Sequence, residues 1–314
     1  MNILFVTSTR IGDAVLSSGL LGHLHRAHPK ARIHVACGPA PAQLFKAAPG
    51  VVEVIPMIKR RRAGHWLQLW RRTVLKPWRL VVDLRGSGLS WLLPAWERRI
   101  IRSSWEPRHR VIHFAELLGL AADPPAPELW SAPADVERAR VLIPDGAPVL
   151  GLGPTANWGG KQWPAERFVA AVERLTGPGG ALAGARLAVF GAEAERDAVA
   201  PLLALPRVID LVGTTSLAEA YACLGRCAFY LGNDSGLMHM AAAAGIPTLG
   251  LFGPSSEVFY GPWGAKTATV RGPRSFEDIC HSPDFDHRSH ACLMLDLDVD
   301  RVVAAAEALW LRTR

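Results

Sequence analysis

The sequence predicts an α/β protein of two domains, each built on a parallel sheet with helices on both faces. Short apolar runs of strand length alternate with helical patterns, and this alternation stops at a proline-rich stretch (121–135) before it starts again. The chain has 314 residues, enough for two hydrophobic cores. We therefore expect two Rossmann-like domains, residues 1–144 and 145–314, that face a cleft.

The apolar runs locate the strands, and the helical patterns between them locate the helices. In the first domain they predict strands at 3–7, 32–37, 51–56, 80–84 and 99–101, and helices at 14–27, 41–47, 65–75, 89–96 and 111–120. In the second domain they predict strands at 149–152, 187–190, 209–212, 228–231 and 248–252, and helices at 165–175, 195–205, 217–224, 237–244 and 299–311. Open α/β sheets bind ligands beyond the carboxyl ends of their strands, so the loops that follow strands should carry the function.

Charge is distributed unevenly along the chain. The net charge is +7, but residues 1–144 carry +11 and residues 145–314 carry −4. The segment 59–110 holds 14 basic and 3 acidic residues, together with Trp66, Trp70, Trp78, Trp91, Trp96 and Trp105. We expect this half to bind an anionic partner. Tryptophans among basic residues suit a membrane interface, whereas a solvated basic face over buried tryptophans is the alternative. No recognition motif accompanies the charge, so we expect no nucleic-acid partner.

Several features favour the cytosol. The N-terminus MNILFVTSTR enters a strand directly and lacks the pattern of a signal peptide. The five cysteines follow no disulfide pattern, so we expect reduced thiols, with Cys223 and Cys227 in a core. A metal site at Cys280 and Cys292 is disfavoured, because their spacing matches no familiar zinc pattern. The charge-free run 235–256 contains Gly and Pro and suits a buried helix–strand unit better than a membrane span.

The loop TSTRIGDAVLSS (7–18) follows the first strand. It does not match GxGxxG, so dinucleotide binding does not follow. Asp13 is either an N-cap of the next helix or a general base facing the cleft. A helix start favours a charged carboxylate and makes it a weaker base, yet a weak base suffices where the proton leaves late in the reaction.

Two loops of the second domain suit a nucleotide diphosphate. The segment LGLGPTANWGGKQWPAERF (150–168) offers Thr155, Asn157 and a pair of glycines, with Lys161 as a cation before a helix start. In VFGAEAE (189–195), Glu193 lies past a strand end, where a carboxylate can accept both hydroxyls of a ribose. A solvated lysine and a plain helix-opening glutamate are the respective alternatives.

The segment LGNDSGLMHMAAAAGIPTLGLFGP (231–254) predicts an anion site where a helix begins. The amides of a first helical turn carry positive partial charge and point at a ligand. The residues of this site would be Asp234, Ser235, Gly236, Leu237 and His239. A histidine that is merely packed is the alternative for His239. The alanines that follow let the helix lie close to the sheet.

Four motifs together resemble the lipopolysaccharide heptosyltransferase family, which is glycosyltransferase family nine. They are RIGD, KQWPAERF, FGAEAE and, above all, NDSGLMHMAAAAGIPTLGLFGPS, in this order over nearly the whole chain. The resemblance implies a GT-B fold and an inverting, metal-independent transfer of a heptose from ADP-heptose to the inner core of lipopolysaccharide. It implies no cofactor.

The resemblance also assigns residues by position. It implies that Asp13 is the base, Lys161 the diphosphate lysine and Glu193 the ribose contact, with a donor-phosphate loop at Asp234, Ser235, Gly236, Leu237 and His239. Thr155 and Asn157 are expected to contact the donor as well. For the anionic glycolipid acceptor we expect contacts from Arg10, Arg60, Arg61, Arg62 and Arg85.

On this basis we expect a monomer, peripheral on the cytoplasmic face of the inner membrane. Two rival hypotheses remain. One is a sugar-nucleotide 2-epimerase on the same scaffold, which would need no acceptor. The other is a non-catalytic saccharide-binding protein, which Asp13 and Lys161 together disfavour.

Overall fold

The computed structural model describes residues 1–104, 106–283 and 285–314, so the predicted interfacial Trp105 lies outside the described residues. It has two compact units, Met1–Ala132 and Pro133–Arg314. Each unit contains one parallel sheet with helices, which confirms the predicted α/β class. The division falls one helix earlier than the predicted 144/145, because the helix α5 (Pro133–Leu142) packs against a helix of the second unit.

The first unit has a five-stranded sheet in the order β3-β2-β1-β4-β5. Its strands are β1 Asn2–Val6, β2 Arg32–Cys37, β3 Val51–Pro56, β4 Trp78–Asp83 and β5 Ala95–Ile100. Its helices are α1 Ile11–Leu16, α2 Ser18–Ala27, α3 Gly64–Thr73 and α4 Arg110–Glu116, with 3₁₀ turns at Pro41–Phe45, Arg61–Ala63 and Gly88–Leu92. The central strand β1 is fully buried from Ile3 to Val6, as expected for a parallel strand covered on both faces.

Three predictions for the first unit are wrong. The predicted helix 41–47 is a 3₁₀ turn, Pro41–Phe45. The predicted helix 89–96 is a 3₁₀ turn followed by the edge strand β5, which pairs with β4 from Ala95 onwards. An edge strand pairs on one side only, so it tolerates the charged side chains that hid its pattern. The predicted helix 14–27 is two helices that meet at Ser17, whose hydroxyl donates to the carbonyl of Ala14.

The second unit has a six-stranded sheet in the order β11-β10-β9-β6-β7-β8. Its strands are β6 Val149–Gly153, β7 Arg186–Val189, β8 Val208–Asp210, β9 Phe229–Asn233, β10 Thr248–Phe252 and β11 Thr267–Arg271. After α5 come the helices α6 Ala165–Thr176, α7 Arg196–Leu203, α8 Leu217–Leu224, α9 Gly236–Ala243, α10 Glu257–Tyr260, α11 Phe276–Cys280 and α12 Val299–Thr313. 3₁₀ turns occur at Gly159–Lys161 and Glu193–Glu195.

The strand order places the site loops side by side. Strand β9 pairs in parallel with β6 on one side and with β10 on the other. The loops that follow β6, β9 and β10 therefore leave the same edge of the sheet. Beneath them lies a core that includes Leu150, Leu231 and Leu249, all fully buried. Among the described residues, no helix combines the length and apolar character that crossing a membrane demands.

Candidate functional site

A buried ion pair joins two of the predicted loops. Lys161 follows β6, Asp234 follows β9, and Lys161 Nζ donates to Asp234 Oδ2 at 2.5 Å. The Asp234 side chain is 7% exposed, whereas that of Lys161 is 23% exposed. The ammonium therefore keeps an open side while its carboxylate partner is held inside the protein. This rules out the alternative of an ordinary solvated lysine.

Asn233 fixes the two loops relative to each other, a role that the sequence prediction missed. It is fully buried, accepts from the amide of Trp163 at 3.2 Å and donates to the carbonyl of Pro154 at 2.7 Å. Both partners flank the loop that carries Lys161. The available signal was a polar side chain at the end of an otherwise apolar buried strand.

Helix α9 begins at Gly236, two residues after Asp234 and within one residue of the predicted start. Ser235 is its N-cap but makes no side-chain capping bond, and the first amides of a helix have no partner within it. His239 is buried, and its Nε2 lies 3.9 Å from Asp234 Oδ1. His239 is thus packed inside the protein and also lies close to the site. The helix start offers positive partial charge beside the Lys161 ammonium.

The loop of Thr155 and Asn157 is held by the chain further on. Thr155 is buried and Asn157 is exposed. Trp158 Nε1 donates to the carbonyl of Ser289 at 2.6 Å, and a Cβ at Gly159 would lie 2.2 Å from the carbonyl oxygen of His290. Gly159 therefore allows close approach of the His290 backbone, and Gly160 leaves room for the Trp158 ring. A direct contact of Thr155 or Asn157 with a donor stays a prediction.

Glu193 is exposed in the turn after β7, where the sequence predicted it. Arg196 Nε donates to Glu193 Oε1 at 3.1 Å, and the Arg196 guanidinium also donates to Asp210 at 2.7 Å. The Glu193 side chain covers Gly213, where a Cβ would lie 2.2 Å from its Oε2. Arg196 thus orients the carboxylate, and its i,i+3 spacing was the signal for this pair in the sequence.

In the first unit, Asp13 lies in the first turn of α1 and is not its N-cap. Arg10 occupies the N-cap position, which removes the capping alternative for Asp13. Ser8 Oγ donates to Asp13 Oδ2 at 3.4 Å and accepts from the amide of Arg10 at 3.1 Å. The Asp13 carboxylate is partly exposed, so it is available to a ligand.

Asp83 organises the loop after β4, next to the loop of Asp13. It is fully buried, and its carboxylate accepts from the amides of Arg85 and Ser87 and from the hydroxyls of Ser87 and Ser90 at 2.6–2.9 Å. Arg85 in turn donates to Thr9 Oγ1 at 3.3 Å. This brings the predicted acceptor residue Arg85 to the loop that precedes Asp13.

The predicted acceptor residues Arg60, Arg61 and Arg62 follow β3. A cavity of about 410 Å³ is lined by Arg60, Arg61, Gly64, Leu67, Gln68 and Arg71. Three guanidinium groups around one cavity suit an anion. Arg62 is exposed beside it, with a left-handed φ of 51°.

The predicted core positions of Cys223 and Cys227 are confirmed. Cys37, Cys223 and Cys227 are buried free thiols, and burial raises the pKa of Cys223 to about 11. Cys280 and Cys292 are also free. Within residues 1–104, 106–283 and 285–314, no group of three or more His, Cys, Asp or Glu side chains could hold a metal ion.

Comparisons with known proteins identify the family. The model of glycosyltransferase family 9 (heptosyltransferase) matches residues 86–286. The chain belongs to glycosyltransferase family 9. The match includes Lys161, Glu193 and the loop of Asp234, but it begins after Asp13.

Proteins named lipopolysaccharide heptosyltransferases resemble the chain over most of their length. Lipopolysaccharide heptosyltransferase 2 of Salmonella typhimurium is 27% identical, over 86% of this chain and 88% of the relative. Lipopolysaccharide heptosyltransferase 1 of Pseudomonas aeruginosa is 29% identical, over 84% and 82%.

Solved structures of the family share the fold. The glycosyl transferase family 9 protein from Veillonella parvula superposes with a TM-score of 0.79 at 22% identity, covering 99% of this chain and 97% of that one. ADP-heptose LPS heptosyltransferase II of Escherichia coli gives 0.77 at 23% identity, covering 99% of both chains. This family 9 protein therefore has the GT-B fold.

Proposed function

We propose that the protein is an inverting heptosyltransferase that transfers a heptose from ADP-heptose to the inner core of lipopolysaccharide. Membership of family 9 supports glycosyl transfer, and the names of the relatives support the donor and acceptor. The observation that carries the proposal is the partly open Lys161 ammonium, held by buried Asp234 beside the start of α9.

In this proposal the second unit binds the donor. The diphosphate lies at the start of α9, where the amides of Gly236 and Leu237 meet it, whereas the Ser235 hydroxyl oxygen is buried. Lys161 neutralises part of its charge. Asp234 holds Lys161 in place and is itself screened from the diphosphate by it. Glu193, oriented by Arg196, binds the ribose hydroxyls.

The transfer itself needs few protein groups. The acceptor hydroxyl attacks the anomeric carbon opposite the diphosphate, and Asp13 takes its proton as the new bond forms. The bond to the diphosphate breaks, and Lys161 and the start of α9 stabilise the negative charge that grows on the leaving group. Because these groups supply positive charge at the leaving oxygen, we propose that the reaction needs no metal ion.

The first unit, in this proposal, binds the acceptor. Arg85 lies at the loop before Asp13, and Arg10 begins the helix of Asp13. The cavity of Arg60 and Arg61 would take phosphates or carboxylates of the glycolipid further out. We propose a monomer on the cytoplasmic face of the inner membrane, where a glycolipid acceptor is accessible.

An acceptor-dependence assay tests the proposal. With ADP-heptose, release of ADP should require a heptose-deficient lipopolysaccharide core. The heptose in the product should have the anomeric configuration opposite to that in the donor. Asp13→Ala should lower transfer about 10²–10⁴-fold, while the thermal shift with ADP-heptose stays normal. Asp123→Ala, an exposed carboxylate of the same unit, is the matched control.

The rival hypotheses give different results in the same assay. A 2-epimerase would convert the donor without any acceptor, and a binding protein would bind saccharide without turnover. Strong residual transfer by Asp13→Ala would remove Asp13 from the role of base. No thermal shift with any ADP-sugar would overturn the proposed donor.

A further inference from the structure

The first unit carries a largely exposed apolar segment at residues 91–96, WLLPAW, which we call the 91–96 turn. Trp91 and Leu92 are each 69% exposed, and Trp96 is 85% exposed. The neighbouring tryptophan Trp78 is instead 2% exposed and belongs to the core. The structure thus separates tryptophans that the sequence grouped together, and only some of them face solvent.

The 91–96 turn is held in one conformation by its own neighbours. Arg98 donates to the carbonyls of Ser90, Leu93 and Ala95 at 2.5–3.0 Å. Leu93 is buried in the core and anchors the centre of the turn. Because the backbone is already ordered, binding through the exposed side chains would cost little conformational entropy.

Basic side chains lie on the elements that contact the turn. The Arg79 guanidinium on β4 lies 5.7 Å from the ring centroid of Trp96. Arg71 and Arg72 are exposed on α3, whose Trp70 Nε1 donates to the carbonyl of Leu92 at 3.4 Å. Exposed indoles among cations match the headgroup region of an anionic bilayer. A symmetric contact of this surface with the same surface of a second copy would bring like charges together.

We propose that the 91–96 turn inserts into the headgroup region of an anionic membrane, with Trp91, Leu92 and Trp96 as the inserted side chains. The inference rests on the proposed function, because it assumes an acceptor at a membrane, and it adds the surface by which the enzyme reaches it. The arginines on the elements that contact the turn would hold the anionic headgroups.

Vesicle co-sedimentation of the full chain tests this site. Wild-type protein should bind vesicles that contain phosphatidylglycerol and should bind pure phosphatidylcholine vesicles much less. The variant W91S/L92S/W96S should lose ~10-fold or more of its partitioning. Leu311→Ser removes a side chain of similar exposure, 71%, from α12 of the second unit and should bind like wild type.

Fluorescence gives an independent readout of insertion. Brominated lipids should quench wild-type tryptophan emission, and Trp91→Phe and Trp96→Phe should each remove part of that quenching. Equal partitioning of wild type and triple variant would overturn the inference. So would a wild-type dimer that the triple variant dissociates, because the turn would then be an interface between copies.

A soluble acceptor separates this inference from the proposed function. With a detergent-dispersed acceptor, the triple variant should transfer heptose at the wild-type rate, whereas Asp13→Ala should stay inactive. If the triple variant binds vesicles normally while transfer depends on Asp13, only the proposed membrane site is contradicted. If no acceptor supports transfer, the proposed function is contradicted, whether or not the protein binds vesicles.

Discussion

Asp234 places a negative charge at a site that is proposed to bind an anion. Its ion pair with Lys161 explains how the site can still attract an anion. The carboxylate is buried and its Oδ2 accepts from Lys161 at 2.5 Å, so an incoming phosphate meets the ammonium first. A lysine side chain that is already oriented loses less entropy when it binds. Asp234 therefore acts through Lys161.

This role predicts the direction in which Asp234→Asn changes the affinity for ADP. If Asp234 positions Lys161, the variant should bind ADP about 10-fold more weakly, because the ammonium loses its fixed place. Isothermal titration with ADP measures this, and Lys161→Met sets the limit for loss of the cation. Asp278→Asn, an exposed carboxylate of the same unit, is the control. Tighter binding by Asp234→Asn would mean that the carboxylate merely repels the ligand.

The side chain of Tyr230 explains why two positions beneath the site are occupied by glycine. It is fully buried, and a Cβ at Gly153 or Gly232 would lie 1.9 or 2.4 Å from its hydroxyl oxygen. Among the described residues, no atom forms a hydrogen bond of acceptable geometry with this hydroxyl, although Ser235 Oγ lies nearby. Burial raises the pKa of Tyr230, so it remains protonated.

Gly153→Ala should therefore lower the free energy of unfolding by about 1–3 kcal/mol through overpacking. Tyr230→Phe alone should cost little, because the lost hydroxyl leaves no partner unsatisfied. The double variant should recover part of the loss, since it removes the atom closest to the new methyl. Urea unfolding of the four proteins measures this coupling. Strict additivity would contradict the proposed contact.

At the scale of elements, α3 is tied to the sheet by one carboxylate. Glu53 on β3 accepts from Lys76 and Arg72 at 2.9 Å and contacts His34 on β2 at 2.8 Å. Burial would raise the pKa of Glu53, but hydrogen bonds from Lys76, His34 and Arg72 lower it to about 2. This cluster holds the end of the helix that also carries Arg71 and Trp70.

The depressed pKa of Glu53 predicts a pH dependence. A carboxyl whose pKa is lower in the folded state stabilises above its unfolded pKa and loses that contribution as pH falls through the folded pKa. Replacing Glu53 by Gln should cost about 1–2 kcal/mol near neutral pH, since Arg72 and Lys76 are partly solvated. The difference should shrink from pH ~4.5 down to pH ~2. Urea unfolding across this range measures it, and a pH-independent difference would contradict the cluster's role.

The sequence predicted the elements that have strong apolar patterns and missed those that do not. Strands β2 and β10 have their predicted bounds, because most residues of a buried parallel strand are apolar on both faces. The edge strand β3 also has its predicted bounds, because four of its six residues are Val or Ile although it is only partly buried. The edge strands β5 and β11 are partly exposed, so their patterns are mixed or weak. Motifs at strand ends located Lys161 and Asp234. Their pairing depends on the path of two loops, which no local pattern encodes.

At the scale of the whole molecule, charge divides between the units as it did in the sequence. Met1–Ala132 has 19 Lys or Arg against 8 Asp or Glu, a net charge of +11, and Pro133–Arg314 has 16 against 20, a net charge of −4. A charged body attracts opposite charges over about one Debye length, ~10 Å at 0.1 M salt. The first unit should therefore draw an anionic acceptor towards itself before any contact forms.

This asymmetry predicts that salt acts on the acceptor more than on the donor. Raising NaCl from about 50 to about 500 mM should lower kcat/KM for a phosphorylated core acceptor several-fold, because screening removes the attraction of the +11 unit. The KM for ADP-heptose should change less, because the unit proposed to bind it has a net charge of −4 and its Lys161–Asp234 pair is largely buried, where salt screens weakly. A dephosphorylated acceptor is the control and should lose most of the salt effect. Equal salt dependence for both acceptors would mean that short-range contacts, and not the field of the first unit, select the acceptor.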